Sequence, residues 1–163
     1  MSNTAIALLL QVIDQAYDKK SWHGPNLRGS LRGMSAAMAA WRPAKDRRSI
    51  AEITLHAAYW KYTVRRRQLG EKRGSFPLKG SNWFARPDVF SEEAWKADVA
   101  LLDDTHRSLR AAIAALTPAN LDRKPAGSKV SNLHVISGIA AHDLYHAGQI
   151  NLLKRMAAAA GIS

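Results

Sequence analysis

Apolar residues recur along most of this chain at intervals of three and four, the period of helices that bury one side. The segment from Ser2 to Lys19 places Ile6, Leu9, Leu10, Ile13 and Ala16 at that spacing, with Asn3 or Thr4 suited to cap it. Trp22-His23-Gly24-Pro25 interrupts the pattern. A second piece then runs through Leu27, Leu31 and Met34 to about Ala40, with Pro25 in its first turn and a break expected near Gly33. Arg42-Pro43 ends it, because proline disfavours helical backbone in the residue before it.

Ser49-Ile50-Ala51-Glu52 has the form of a capping box and opens a long helix to about Leu69. Its predicted buried stripe is Ile50, Ile53, Ala57, Trp60 and Val64. Residues 70–87 hold three Gly and two Pro without any period and read as the longest loop. Ser91 caps the next helix, which reaches about Leu116 and buries Trp95, Val99, Leu102, His106, Leu109, Ile113 and Leu116. Thr117-Pro118 stops it, and Ser131 or Asn132 opens a last helix to Met156 that frays toward Gly161. No stretch alternates as a strand does. The expectation is an all-α protein, an antiparallel four-helix bundle with an interrupted first helix, in a single domain over residues 1–163.

Composition narrows the class. With 163 residues, 47% hydrophobic and 23% charged, the chain can bury a core of its own. No apolar run approaches the ~18 residues of a membrane span, and no basic stretch precedes Ala5 to Leu10 as a secretory signal requires. A cytoplasmic protein without membrane contact is expected. There are no cysteines, so disulfides, thiolate metal sites and a cysteine nucleophile are excluded from these residues. Any metal must be held by nitrogen and oxygen. The net charge of +11 is concentrated in residues 19–86, where 16 Lys and Arg stand against Asp46, Glu52 and Glu71. Such a balance suits an anionic ligand, an acidic partner or simply a solvated surface.

The candidate chemistry lies in the histidines. His142 and His146 are four residues apart on the last helix, about 40° apart around its axis and ~6 Å along it, so both rings can reach one cation. They fall within the apolar stripe that runs through Val135, Ile139 and Leu153, and buried imidazoles need partners. A third ligand should come from another helix. His56, one turn before Trp60, is the leading candidate and His106 the competitor. His134 falls to the side, and His23 sits in a turn where it could line a pocket mouth.

Taken together, Ser49-Ile50-Ala51-Glu52-Ile53 with His56 and Trp60, then His142-Asp143-Leu144-Tyr145-His146-Ala147-Gly148-Gln149-Ile150, resembles the DinB-like superfamily of damage-inducible helical proteins. Trp22-His23-Gly24-Pro25 and Trp41-Arg42-Pro43 are also similar to members. The resemblance implies one divalent metal (nickel, zinc or iron) on His56, His142 and His146. It also implies a homodimer, and an enzyme that activates a low-molecular-weight thiol to transfer or isomerise small electrophilic molecules. The thiol would be external to a chain without cysteine, and Arg47, Arg48, Lys61, Arg65 and Arg66 are candidates to attract its carboxylates. Trp60, Tyr145, Gln149 and His23 are expected around the pocket, with Tyr145 and Gln149 as hydrogen-bond donors at the open side of the metal.

Asp143 gives the last helix the look of a metalloprotease His-Glu-x-x-His segment with a shorter acid. Its short reach fits better with pairing to another helix or orienting a ring. Two other readings compete with an enzyme or hydrolase. One is a nucleic-acid or acidic-partner binding module, in which Trp83 and Phe84 of the basic loop would stack bases. The other is a scaffold without catalysis.

Overall fold

The structure, a computed structural model, describes residues 4–125 and 127–163. Among them it has seven helices and no strand. Four are long: α1 (Thr4–Tyr17), α4 (Ile50–Gln68), α5 (Glu92–Ala114) and α7 (Asn132–Ala159). Three are short: α2 (Leu27–Ser30), α3 (Ala36–Ala40) and α6 (Pro118–Leu121). The all-α expectation is met. The helix count exceeds four because segments of four or five residues end on local signals too brief to show a period.

Those local signals are specific. Pro25 lies before the cap rather than in the first turn: Asn26 caps α2, its side chain accepting from Gly29 N–H at 2.9 Å. Gly33, with φ +64°, turns the chain between α2 and α3, and Ser35 caps α3. Beyond Thr117 the chain does not stop but restarts, with Pro118 at the first position of α6 and Thr117 N–H donating to Asn120 Oδ1 at 2.8 Å. Helix α1 begins at Thr4; the other predicted cap, Asn3, lies outside the described residues, as does Ser2.

Helix α4 is the centre of the fold. It packs against α5, α7 and α3, while α1 packs against α7 and α5. Its capping box is formed: Ser49 Oγ accepts from Glu52 N–H, and Glu52 accepts from Ser49 N–H at 2.9 Å. A single buried stripe was the expectation, yet 14 of its 19 residues are buried and Trp60 of that stripe is only half-buried. The reason is the 69–91 segment, which lies over the face that would otherwise meet solvent. Phe84 and Phe76 of that segment pack on Tyr59 and Tyr62 of α4, with ring centroids 5.3–5.5 Å apart. Arg86 then ties the segment to α5 through an ion pair with Asp98 at 2.9 Å.

Helix α7 begins with Ser131 as cap. It buries Ile136, Ile139, Ala140, Asp143, His146, Ala147 and Ile150, which places the His-x3-His segment directly over α4. Val135, His142 and Leu153 of the predicted stripe are half-buried, at the edge rather than the middle of the covered face.

Candidate metal centre

His56 from α4 and His142 and His146 from α7 converge, their candidate ligand nitrogens all within 4.8 Å of one another. His142 Nε2 is 3.1 Å from His56 Nε2 and 3.0 Å from His146 Nε2. The other ring nitrogens say which tautomers these are. His56 Nδ1 lies 2.9 Å from the carbonyl oxygen of Asn82, which can only accept, so Nδ1 carries the proton and Nε2 is a bare lone pair. His146 Nδ1 donates in the same way to Gln149 Oε1 at 2.7 Å, leaving its Nε2 bare.

Two lone pairs therefore point at His142 Nε2, which has at most one proton to share. Three neutral imidazoles cannot satisfy this arrangement among themselves. One divalent cation can, since nitrogens bound at ~2.0–2.1 Å to a common ion stand about 3 Å apart. The two hydrogen-bonded Nδ1 atoms also hold their rings in the ligating tautomer, as partners of metal-bound histidines do. His142 Nδ1 is buried without a hydrogen-bond partner.

The electrostatics favour the same use. Burial pushes His142 down to about 3, helped by His146, His56 and Lys61. Burial likewise pushes His146 down to about 4 despite the Gln149 hydrogen bond. His56 is lowered by burial and by Arg48. All three rings are thus neutral at neutral pH, the protonation state that binds a metal without first losing protons.

Aromatic rings enclose the cluster. Trp83 stacks on His56 with centroids 3.9 Å apart and planes within 11°. Trp60 presents an edge-on geometry to His56 and His142 at 6.3 and 6.5 Å. Its indole N–H donates to Asn82 Oδ1 at 2.9 Å. Asn82 thus serves both α4 side chains, and it does so from φ 66°, a left-handed backbone that asparagine tolerates better than most residues.

Other expected residues fall in different places. Tyr145 lies over the edge of His146 at 5.1 Å but is 64% exposed. Gln149 does not donate toward the open side; it accepts from His146 and donates to Tyr145 Oη at 3.0 Å, so it orients a ring. His23 is exposed in the α1–α2 turn, 3.5 Å from Ser21 Oγ, and does not join the cluster. His134 is exposed, as expected. His106, the competing ligand, is instead stacked on Tyr17 at 3.6 Å, and burial pushes it down to about 3.

Three charge assignments also change. Lys61 cannot attract an external anion: it is fully buried against Asp143 on α7. Arg65 pairs with Glu71, and Arg66 donates to the Glu71 carbonyl at 2.9 Å. Nor are the loop aromatics free to stack bases. Phe84 is buried, and Trp83 is committed to His56 and to Arg48, whose guanidinium lies 4.8 Å from its ring centroid.

Asn82 and Trp83 are the contributors that periodicity misses, because they come from the one long segment without a period. An Asn-Trp pair inside a Gly- and Ser-containing loop was the only signal available.

No curated protein and no solved structure matches the chain. The family model described as the DinB superfamily matches residues 21–150, a span that contains all three converging histidines. The chain belongs to the DinB superfamily.

Proposed function

We propose that the protein binds one divalent metal ion on His56, His142 and His146 and uses it in a reaction on a small electrophilic molecule. The observation that carries this reading is the pair of bare Nε2 lone pairs, on His56 and His146, both directed at His142 Nε2. A scaffold with merely packed histidines has no use for that arrangement, since it leaves at least one buried lone pair unsatisfied.

When bound, a divalent cation on neutral ligands supplies a Lewis acid that makes a neighbouring water or thiol acidic near neutral pH. The residues of the chain contribute the rest. Asn82 and Gln149 hold two rings in register. Trp60 and Trp83 wall the cluster and limit water on the α4 side. No residue among the 163 offers a thiol, so a thiol-transfer reaction requires a low-molecular-weight thiol as co-substrate. Metal-dependent hydrolysis is the alternative within the same reading.

Elemental analysis of protein purified without a histidine tag tests it. About one nickel, zinc or iron per chain is expected, falling to background in His56→Ala and His146→Ala with helical circular dichroism retained. Full metal content in His146→Ala, or none in the parent protein after incubation with all three ions, overturns the assignment.

A further inference from the structure

Beside the histidine cluster lies a cleft of about 350 Å³ that the metal site itself does not use. It shares two residues with the surroundings of that site: Trp83, stacked on His56, and Gln149, bonded to His146. Ile53, Leu152 and Leu153 add an apolar wall from α4 and α7. Leu152 is 55% exposed, an apolar side chain facing open space at the cleft. A volume of this order suits a molecule of modest size with an apolar body.

The rim has the opposite character. Arg47 and Arg48 line it from the segment before α4, together with the carboxylate of Asp46. Charge around this rim does not balance. Glu52 faces both Arg42 at 2.7 Å and Arg48 at 3.2 Å, and Asp46 is the carboxylate beside Arg47 at 3.8 Å. Three guanidiniums thus share two carboxylates. Arg47 is the loosest of them, with a side chain 70% exposed and its carboxylate partner equally in solvent. A site with an apolar wall, an aromatic ring and one surplus fixed positive charge complements an organic monoanion.

We propose that this cleft binds a small organic carboxylate with an aromatic or branched apolar body. The body rests on Trp83, Ile53 and Leu152, the carboxylate meets Arg47 and Arg48, and the far end reaches the Gln149 edge of the histidine cluster. This assigns a substrate class to the reading above and rests on that reading for its catalytic meaning, while binding itself needs no metal.

Calorimetric titration of the full chain with 4-phenylbutyrate, 4-phenylbutanol and 4-phenylbutylamine, each on EDTA-treated and on zinc-incubated protein, tests the assignment. The carboxylate should bind saturably and roughly tenfold or more tighter than the alcohol, with the amine weaker still. Arg47→Gln/Arg48→Gln should weaken it about tenfold. Leu152→Glu, a change at an exposed position, should do the same with circular dichroism and zinc content unchanged. Equal binding of the alcohol, unchanged binding to Leu152→Glu, or no saturation by the carboxylate overturns the proposal. If the carboxylate binds and zinc does not, the cleft stands and the metal reading falls. If zinc binds through His146 and the carboxylate does not bind, the cleft falls alone.

Discussion

Lys61 of α4 and Asp143 of α7 form an ion pair in which neither side chain has any solvent exposure. Asp143 sits between His142 and His146, and Lys61 lies five residues beyond His56, so the pair joins the two helices that carry the cluster. Lys61 also stands 4.9 Å from the face of Tyr17. Burial raises the Asp143 carboxyl while the Lys61 ammonium works against that rise. Removing one partner strands the other charge in the core, whereas removing both leaves a packing problem alone.

Single and double replacements should therefore differ in size, the single variants losing more than the double. Lys61→Met is expected to destabilise the fold by about 3–5 kcal/mol, with Lys61→Met/Asp143→Leu recovering most of that loss. Urea unfolding of the parent, both single variants and the double variant closes the cycle. A double variant as unstable as the sum of the singles would show that the pair is not coupled. If the pair also sets the register of α4 against α7, the double variant should fold well and still bind zinc more weakly than the parent.

Gln149 offers a test of how the rings are held. Its Oε1 is the acceptor that keeps the proton on His146 Nδ1, and removing such a partner commonly costs 10–100-fold in metal affinity. Gln149→Leu should show a loss of that size in a competition assay with a zinc chelator. Gln149→Glu, which retains the acceptor, should bind at least as well as the parent. Equal affinities for the leucine and parent proteins would mean that His146 needs no orienting acceptor.

What could be read from residues alone follows from how local each signal is. Ser49 with Glu52 and His142 with His146 depend on spacings within one turn of helix; the capping box is formed and the two rings lie side by side. Choosing His56 over His106 needed a contact between α4 and α7 that periodicity does not report. Each histidine sits in a buried helix face, and only packing separates the ring that meets His142 from the ring that meets Tyr17. Lys61 reads in the sequence as a candidate to attract an external carboxylate because lysine is rarely buried without a partner. Its partner lies 82 residues away, so no local pattern could announce it. Asn82 was silent for a related reason: what it offers His56 is a backbone carbonyl, which any residue possesses.

His106 makes the pH response of the core measurable without touching a ligand. Burial holds its ring neutral down to about 3, with Lys61 and nearby arginines adding to the effect. In the unfolded chain it takes a proton at about 6.5. A folded value below the unfolded one means that stability is complete above about 6.5 and is lost as pH falls from there. His106→Phe keeps a ring on Tyr17 and removes the titration. Relative to the parent, this variant should gain about 2–3 kcal/mol between pH 7.5 and pH 4.5, read from urea midpoints at both values. A constant difference between the two proteins would mean that His106 is protonated in the fold.

Asp98 works in the opposite direction. Its carboxyl is pushed up to about 6 because burial outweighs the attraction of Arg86. With the folded value above the ordinary 3.8, the stabilising contribution is present at low pH and disappears as pH rises through about 6. Asp98→Asn abolishes that dependence. Relative to the parent, the variant should gain about 2 kcal/mol on going from pH 4.5 to pH 7.5. The same substitution removes the charge that ties Arg86, and with it the 69–91 segment, to α5. Because that segment carries Asn82 and Trp83 onto His56, zinc affinity in Asp98→Asn should drop even at pH 7.5, where its stability relative to the parent is highest. Stability and metal affinity then move apart, a split that general loosening of the fold would not produce; a parallel rise in both would show that the segment holds its place without Asp98.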